Sequence, residues 1–545
     1  RQRRGMQKIS ALLHRFPRWS AMGAGAASAY GFEPWGLWPL TLVCFALLIH
    51  LIAHAQNTKR AFILGWLFGV GHFTFGNQWI AVAFTFQAAM PIWLGYIAVV
   101  GLALYLAVYP ALAAAGAVGI RQFAVKIFGH SRADAGHGAG TLSLILAFAG
   151  LWIITEWLRS WVFSGYVWNP LAVGFVSHWF DLWLPTIGTY GVGGLMILAS
   201  GAIALLGNRR WTNACVLAAI VGVAILSSAK IYVPEPSLSG RPAVTVVQPN
   251  ISQADKYAPG YDVINFAKLA MNSRPLAGQA PRLILWPEAA IPDYLEDGYP
   301  YRYYYGQPGE SAAGARARLI TLMADGDVLV TGANRLIFEK RQLVAARNSV
   351  SAMDAFGRIL GHYDKAHLVP YGEYLPVPWL LKPLGLARLV PGSLDFWPGP
   401  GAQTMTVAVD GKPVKIGMQI CYEMIFSGQT VDRNNRPDFI FNPSNDAWFG
   451  NIGPPQHLAQ ARLRAIEEGL PVIRSTPTGI SAIIDADGRI LQSLPLGSDG
   501  RIDTFLPRAM APTFFARFGN VIPLAFAGLL ILLALLPLAQ RRASR

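Results

Sequence analysis

Cys421 is the one cysteine of three that lies outside the most apolar stretches of the chain, and it ends a strand-like run, Val414-Lys-Ile-Gly-Met-Gln-Ile-Cys421-Tyr-Glu423. A glutamate upstream, in Leu285-Trp-Pro-Glu288, and a lysine in Tyr363-Asp-Lys365 add a base and a cation to that nucleophile. The three residue types together point to acyl transfer. A cysteine attacks through its thiolate, so it needs a base or cation beside it, and the tetrahedral intermediate needs donors aimed at its oxyanion. Each residue also has a plainer reading. Cys421 can be a small buried hydrophobe, Glu288 a surface carboxylate at a strand exit, and Lys365 a solvated lysine in a turn.

The surroundings favour the chemical reading. Glu288 follows the apolar run Leu283-Ile-Leu-Trp-Pro, where desolvation is expected to raise its pKa toward that of a working base. Lys365 opens Tyr363-Asp-Lys-Ala-His-Leu-Val-Pro-Tyr-Gly-Glu373-Tyr-Leu-Pro376, a loop punctuated by proline and glycine, in which Glu373 can hold the lysine by an ion pair. Glu423, two residues past the cysteine, can do the same or serve structure alone. Asn442-Pro-Ser-Asn-Asp-Ala-Trp-Phe-Gly450 is rich in turn formers, and its aromatic side chains can line a pocket. A Cys-His pairing through His367 or His457 has no spacing to support it, and no cluster has metal-ligand spacing, so neither metal nor cofactor is expected.

These residues need a scaffold. Short β-rich runs recur at 244–247, 283–286, 328–331, 349–353, 415–420, 439–442 and 480–484, with helical spacing at 312–324 and 457–468 between some of them. Strands alternating with helices predict a layered α/β domain whose catalytic candidates fall at strand ends.

The rest of the chain has a different character. Its 545 residues are 53% hydrophobic and 14% charged, with a mean hydropathy of +0.36, too apolar for an enzyme wholly in water. Apolar stretches near 20–32, 36–54, 61–84, 89–120, 141–158, 183–207, 211–229 and 517–539 predict about eight membrane spans. The loops carrying Lys59, Arg60, Arg121, Lys126, Arg132, Arg209 and Arg210 fall on one side, together with Arg1, Arg3, Arg4, Lys8, Arg541, Arg542 and Arg545. The opposite loops carry almost only Arg159. Both ends are therefore expected in the cytoplasm, and the polar segment between the last two spans on the outer face. This divides the chain into a transmembrane bundle of about seven helices at 1–230, an outer catalytic domain at 231–512, and a final span with a basic tail at 513–545.

The net charge of +15 is accounted for by this topology and lacks a basic stripe interleaved with aromatics, so nucleic-acid binding is not expected. Removable signal-peptide features are not seen, since no small-residue cleavage site follows a short apolar core. The run Trp379-Leu-Leu-Lys-Pro-Leu-Gly-Leu-Ala-Arg-Leu-Val390 reads as a lid or arm dipping into the bilayer interface.

Taken together, Trp286-Pro-Glu288, Tyr363-Asp-Lys365 through Glu373-Tyr, Ile420-Cys421-Tyr-Glu423 and Ser444-Asn-Asp-Ala-Trp-Phe-Gly450 resemble the motif set of the nitrilase superfamily. With the flanking spans, including Glu156-Trp-Leu-Arg159 and Trp168-Asn169, the chain resembles its membrane branch, the apolipoprotein N-acyltransferases. That resemblance implies an α-β-β-α sandwich facing the periplasm of a bacterial inner membrane. It implies a catalytic triad of Glu288, Lys365 and Cys421, supported by Glu373, Glu423 and the backbone N–H of Tyr422, with Tyr257, Asn445, Trp448 and Phe449 at the substrates. The implied donor is a membrane phospholipid. The implied acceptor is the α-amino group of a diacylglyceryl-cysteine on an apolipoprotein, acylated through a thioester on Cys421 by what is expected to be a monomer. The sequence departs from the family's usual residues at Pro249, Tyr257 and Pro477, none of them in the triad. Two other functions share some of these features. A membrane-anchored amidase hydrolysing a C–N bond uses the same triad, and a transporter with an outer sensor domain would place more ionisable residues inside spans than His72, Glu156 and Arg159.

Overall fold

The computed structural model describes residues 15–86, 91–128, 138–207, 240–256, 258–376 and 394–543, with isolated positions at 214, 215, 218, 222, 379 and 383. Two compact units emerge: Arg1–Ala81 with Trp93–Ile231 and Phe518–Arg545, and Val82–Ile92 with Tyr232–Arg517. The apolar stretch expected at 211–229 and the arm expected at 379–390 lie, apart from those isolated positions, outside the described residues.

The first unit is helical: α1 (Pro17–Ser28), α2 (Trp38–Ala53), α3 (Thr58–Gly76), α4 (Trp93–Leu106), α5 (Val108–Phe128), α6 (Gly138–Leu158), α7 (Leu184–Gly207) and the helix Val521–Ala543. Helices suit so apolar a chain because each satisfies its own backbone groups where no water is available. Among the described residues, three stretches are long and apolar enough to cross a membrane: Trp93–Lys126, Gly140–Leu158 and Phe180–Gly207; Trp38–Ala53 and Val521–Leu535 are shorter apolar helices. The stretch read as one span at 89–120 is broken between α4 and α5, where Pro110 has no N–H to offer the carbonyl of Leu106. The 12 residues of α1 rise only about 18 Å, short of the roughly 30 Å of a hydrocarbon core.

Small residues let these helices approach closely. A Cβ on Gly25 of α1 would stand 1.9 Å from the carbonyl oxygen of Phe68 in α3, so only hydrogen fits there. His72, Glu156 and Arg159 are buried inside this unit. Glu156 accepts from the Leu171 N–H at 2.8 Å and faces Arg159 at 3.7 Å, while His72 Nδ1 meets Ser28 Oγ at 2.7 Å.

The second unit is a sandwich of two six-stranded sheets. One runs β12-β1-β2-β3-β4-β5 and the other β11-β10-β9-β8-β7-β6, from β1 (Ala243–Gln248), β2 (Arg282–Leu285), β3 (Val328–Glu339), β4 (Gln342–Asp354), β5 (Ile359–Asp364), β6 (Thr404–Val409), β7 (Lys412–Met418), β8 (Phe439–Pro443), β9 (Val472–Ser475), β10 (Ala482–Ile484), β11 (Ile490–Ser493) and β12 (Gly500–Phe505). The strands β1, β2 and β3 pair in parallel, as do β7, β8 and β9, and the outer pairs are antiparallel.

Helices cover both outer faces. Leu269 of α8 (Asp262–Met271) and Ala315 and Leu319 of α9 (Ala312–Ile320) pack with Ile284 and Leu329 on the first sheet. Leu458, Ala461 and Ala465 of α10 (Gly453–Glu468) pack with Ile440, Val472 and Ile484 on the second. The layers are therefore α-β-β-α, stitched in the middle by Ser475 Oγ donating to the Val247 carbonyl and by Gln248 Oε1 accepting from Ser481 N–H. The seven runs read as strands all fall on strands. Helix α9 stops at Ile320, four residues short of the 312–324 expected, and α10 begins four residues before 457.

Candidate active site

The carboxyl ends of β2, β5, β7 and β8 carry Glu288, Lys365, Cys421 and Asn445, and loops beyond the ends of parallel strands are where α/β folds present ligands. Strand β2 is wholly buried and hands over to Trp286, whose N–H donates to Val330 of β3. Pro287 then ends the pairing, and Ala289 takes a φ of 45°. That sharp turn needs a neighbour without a side chain. A Cβ on Gly332 would stand 2.3 Å from the Ala289 nitrogen, and the Ala290 N–H donates to the Gly332 carbonyl.

Glu288 is buried, and both carboxylate oxygens are held. Its Oε1 accepts from Asn348 Nδ2 at 2.7 Å and faces Lys365 Nζ at 3.4 Å; its Oε2 accepts from the Asn445 N–H at 2.8 Å. Burial alone would raise this carboxyl, as the sequence led us to expect. Lys365, the Asn348 amide, Lys256 and the Asn445 N–H outweigh burial and leave it below the usual carboxylate range. The Glu288 carboxyl is thus ionised at neutral pH.

Lys365 Nζ is 3.0 Å from Glu373 Oε2, and Asn348 Nδ2 reaches Glu373 Oε1 at 2.8 Å, so one amide spans both carboxylates. Burial would strip the lysine of its proton, but Glu373 and Glu288 more than offset it and hold the ammonium above its ordinary range. Glu423 is occupied by structure. Its Oε1 accepts from Tyr363 OH, Ala366 N–H and His367 N–H, and its Oε2 from Ile420 N–H at 2.7 Å. One carboxylate thereby joins the loop of Lys365 to the residue before Cys421, and burial pushes its pKa up to about 7.

Cys421 is buried, with a φ of 49° at the start of a helical turn, Cys421–Ile425. A residue with a Cβ is held in the left-handed region only where its surroundings impose it. Here the Cys421 carbonyl meets His457 Nε2 at 3.1 Å, and His457 Nδ1 lies 3.0 Å from Asp446 Oδ1. Asp446 also pairs with Arg474 and accepts from Ser444 Oγ, and Arg474, with His457, overcomes burial to hold its carboxyl below the usual range. Burial first and Glu288 second push the Cys421 thiol well above its usual range, with Lys365 pulling the other way. Burial and the Glu288 charge thus favour the thiol over the thiolate, and a thiol with an ionised carboxylate in electrostatic reach suits an attack in which the proton is taken as the bond forms.

The remaining residues singled out from the sequence divide. Tyr422 is buried, its ring edge-on to Phe426 at 5.2 Å. Asn445 turns its N–H to Glu288 and its amide to Gln253 Oε1 at 2.9 Å. Trp448 packs edge-on against Phe86 at 5.5 Å, and Phe449 against His457 at 5.7 Å. Tyr257 lies outside the described residues. Reasoning from sequence passed over Asn348, Lys256, Asp446 and Arg474 and set His457 aside. Asn348 sits within a strand and carried no signal, whereas Asp446 was visible inside the 442–450 turn.

The sandwich places the chain among proteins of the carbon-nitrogen hydrolase type: residues 243–511 match that family, and residues 24–202 match the N-terminal domain of apolipoprotein N-acyltransferase. Apolipoprotein N-acyltransferases of Rhodopseudomonas palustris and Bradyrhizobium diazoefficiens are each 33% identical to it, over 95% and 96% of this chain and 94% and 95% of theirs. Among solved structures, an amidase from Nesterenkonia sp. is similar at 19% identity and a TM-score of 0.31, over 49% of this chain and 90% of that one. The chain belongs to the apolipoprotein N-acyltransferase family, and it is a bacterial membrane protein.

Proposed function

We propose that this acyltransferase moves an acyl chain from a membrane phospholipid to the α-amino group of a diacylglyceryl-cysteine at the N-terminus of apolipoproteins, through a thioester on Cys421. The observation that carries this reading is the buried, hydrogen-bonded group of Glu288, Lys365, Glu373 and Asn348, whose Glu288 and Lys365 lie within electrostatic reach of the Cys421 thiol. Glu288 takes the thiol proton as Sγ bonds to the ester carbonyl carbon, and the carbonyl electrons move to oxygen. Lys365 and the Tyr422 N–H hold that oxyanion. As the tetrahedral intermediate collapses, the C–O bond to the glycerol breaks, Glu288 returns the proton to that oxygen, and lysophospholipid leaves.

The incoming amine then attacks the thioester carbonyl. Glu288 takes a proton from its nitrogen, the C–S bond breaks, and the thiol is restored as an amide forms. Amide formation drives the second step. Both substrates carry acyl chains, so a catalytic domain tethered to the bilayer meets them in a plane and spares the cost of drawing a lipid into water. In this reading the chain is a monomer in the inner membrane with about eight spans, both ends cytoplasmic and the catalytic domain at 231–512 periplasmic, as the Lys and Arg distribution supports.

Intact mass measurement of the full-length protein with phospholipid, then with a diacylated lipopeptide, tests the scheme. An acyl adduct on wild type, absent from Cys421→Ala and discharged onto the peptide amine, is expected. Discharge onto water alone would make the protein a hydrolase, and lipopeptide N-acylation by Cys421→Ala would remove the thioester altogether.

A further inference from the structure

One lysine near the triad has no place in the scheme above. The turn Gln253–Lys256 is capped by Ser252, whose Oγ accepts from the Asp255 N–H at 3.1 Å and donates to Asp255 Oδ2. It is braced by Asn265 Nδ2, which donates to the Asp255 carbonyl. This turn grips Glu288 at both ends. Lys256 Nζ donates to the Glu288 main-chain carbonyl at 3.1 Å, and Gln253 Oε1 holds the side chain of Asn445, whose N–H in turn holds the Glu288 carboxylate. The same lysine lines an open cleft with Glu288, Asn265, Phe266 and Pro287.

Charge balance gives that grip a second purpose. Glu288 and Glu373 share the single ammonium of Lys365, which leaves one negative charge over. Attack moves that charge from Glu288 to an oxyanion without cancelling it, and a buried uncompensated charge is costly. Lys256 lies within electrostatic reach of both Glu288 and Cys421. Resting on the thioester reading, we propose that Lys256 is a second cation of the acyl-transfer site, a positioning residue that clamps the main chain of Glu288 and neutralises the charge that Lys365 leaves over.

The clamp depends on a proton. Burial pushes the Lys256 ammonium down to about 8, against the opposing pull of Glu288 and Cys421. Lys365 stands behind Glu288, Asp255 lies on Lys256's own turn, and Asp262 and the Asp293–Arg318 pair line the same cleft.

The experiment follows acyl-enzyme formation by intact mass against pH, with full-length wild type, Lys256→Arg and Lys256→Met in phospholipid vesicles. Wild type is expected to slow as pH rises through about 8, as the ammonium is lost. Lys256→Arg, which stays charged, keeps its rate beyond that pH. Lys256→Met is slower by about a hundredfold at neutral pH without that fall, at unchanged KM for phospholipid. A Lys256→Met protein within about twofold of wild type that keeps the alkaline fall overturns the proposal. Should Lys256→Met fail to fold, the Lys256→Arg profile decides alone, and an alkaline limb coinciding with wild type overturns it. Cys421→Ala in parallel separates the two ideas: an adduct there sinks the thioester reading and leaves the lysine comparison to be judged by lipopeptide turnover.

Discussion

Asn348 shows how much one neutral side chain can carry. Its amide is shared between Glu288 and Glu373, the two carboxylates that also share Lys365. Without it the pair loses the one neutral donor that reaches both carboxylates, and their repulsion is left to Lys365, Lys256 and the backbone N–H groups of Asn445 and Val369. Asn348→Ala is expected to slow thioester formation by about a hundredfold while the protein still inserts and folds, which single-turnover mass measurement beside a melting curve checks. Asn348→Asp adds a third carboxylate and should be worse. A normal rate in either variant would detach the amide from catalysis. Because Glu288 is held below the ordinary carboxylate range, its charge persists as acid is added. The acid limb that Glu288 sets should therefore lie below pH 4.5, the carboxyl's usual value, and a midpoint near neutrality that survives Glu423→Gln, which removes the group titrating at about 7, would mean that the base is not this residue. Asp446 answers to stability as well as to rate. It is fully buried between Arg474 and His457, and removing one partner of such a pair costs about 3–5 kcal/mol. Asp446→Asn should lower the melting temperature, and, by freeing His457 from its post on the Cys421 carbonyl, should also depress turnover in whatever fraction stays folded.

At the scale of elements, the turn after β2 and the strand β3 are fitted to each other through Gly332. A methyl there would stand 2.3 Å from the Ala289 nitrogen and 2.6 Å from the Pro287 carbonyl oxygen, so either β3 or the turn bearing Glu288 must shift. Gly332→Ala is expected to lose far more activity than stability, and equal losses in both would show that the turn moves as one with the sheet. This close approach was not legible in the sequence, because it joins residues more than forty positions apart. What was legible follows from period. The run leading to Glu288 is continuous and apolar because its strand, paired in parallel, is covered on both faces, whereas the run leading to Cys421 is buried only in its last residues. Strands β5, β6, β9, β11 and β12 escaped notice: β11 is exposed along its length, and β9 is buried but only four residues long, with Arg474 in its middle. The expected rise in the pKa of Glu288 failed in the same way. Burial could be read from the preceding apolar run, but the Lys365 ammonium, the Asn348 amide and the Asn445 N–H that reverse its effect come from the end of β5, from β4 and from the loop after β8.

For the whole molecule, composition announced two environments, and the contacts divide the chain accordingly into a helical unit and a sandwich. The helical unit leans on glycine where lipid offers no hydrophobic drive. Gly25→Leu would set a branched chain where 1.9 Å is available, and should lower the melting temperature of the detergent-solubilised protein without touching the chemistry of molecules that remain folded. The proposed orientation is open to direct labelling. Tyr305 is 75% exposed, and a cysteine introduced there should react with a membrane-impermeant maleimide in spheroplasts and be shielded in inside-out vesicles. The reverse pattern would invert the topology.

The Glu423 carboxylate, gripping Ala366 and His367 with one oxygen and Ile420 with the other, acts as a gauge block between two loops. The spacing of the Lys365 loop from the residue before Cys421 is then fixed by the length of a single side chain as well as by the sheets beneath. Shortening that block by one methylene, as Glu423→Asp does, would retune that spacing without redesigning the scaffold.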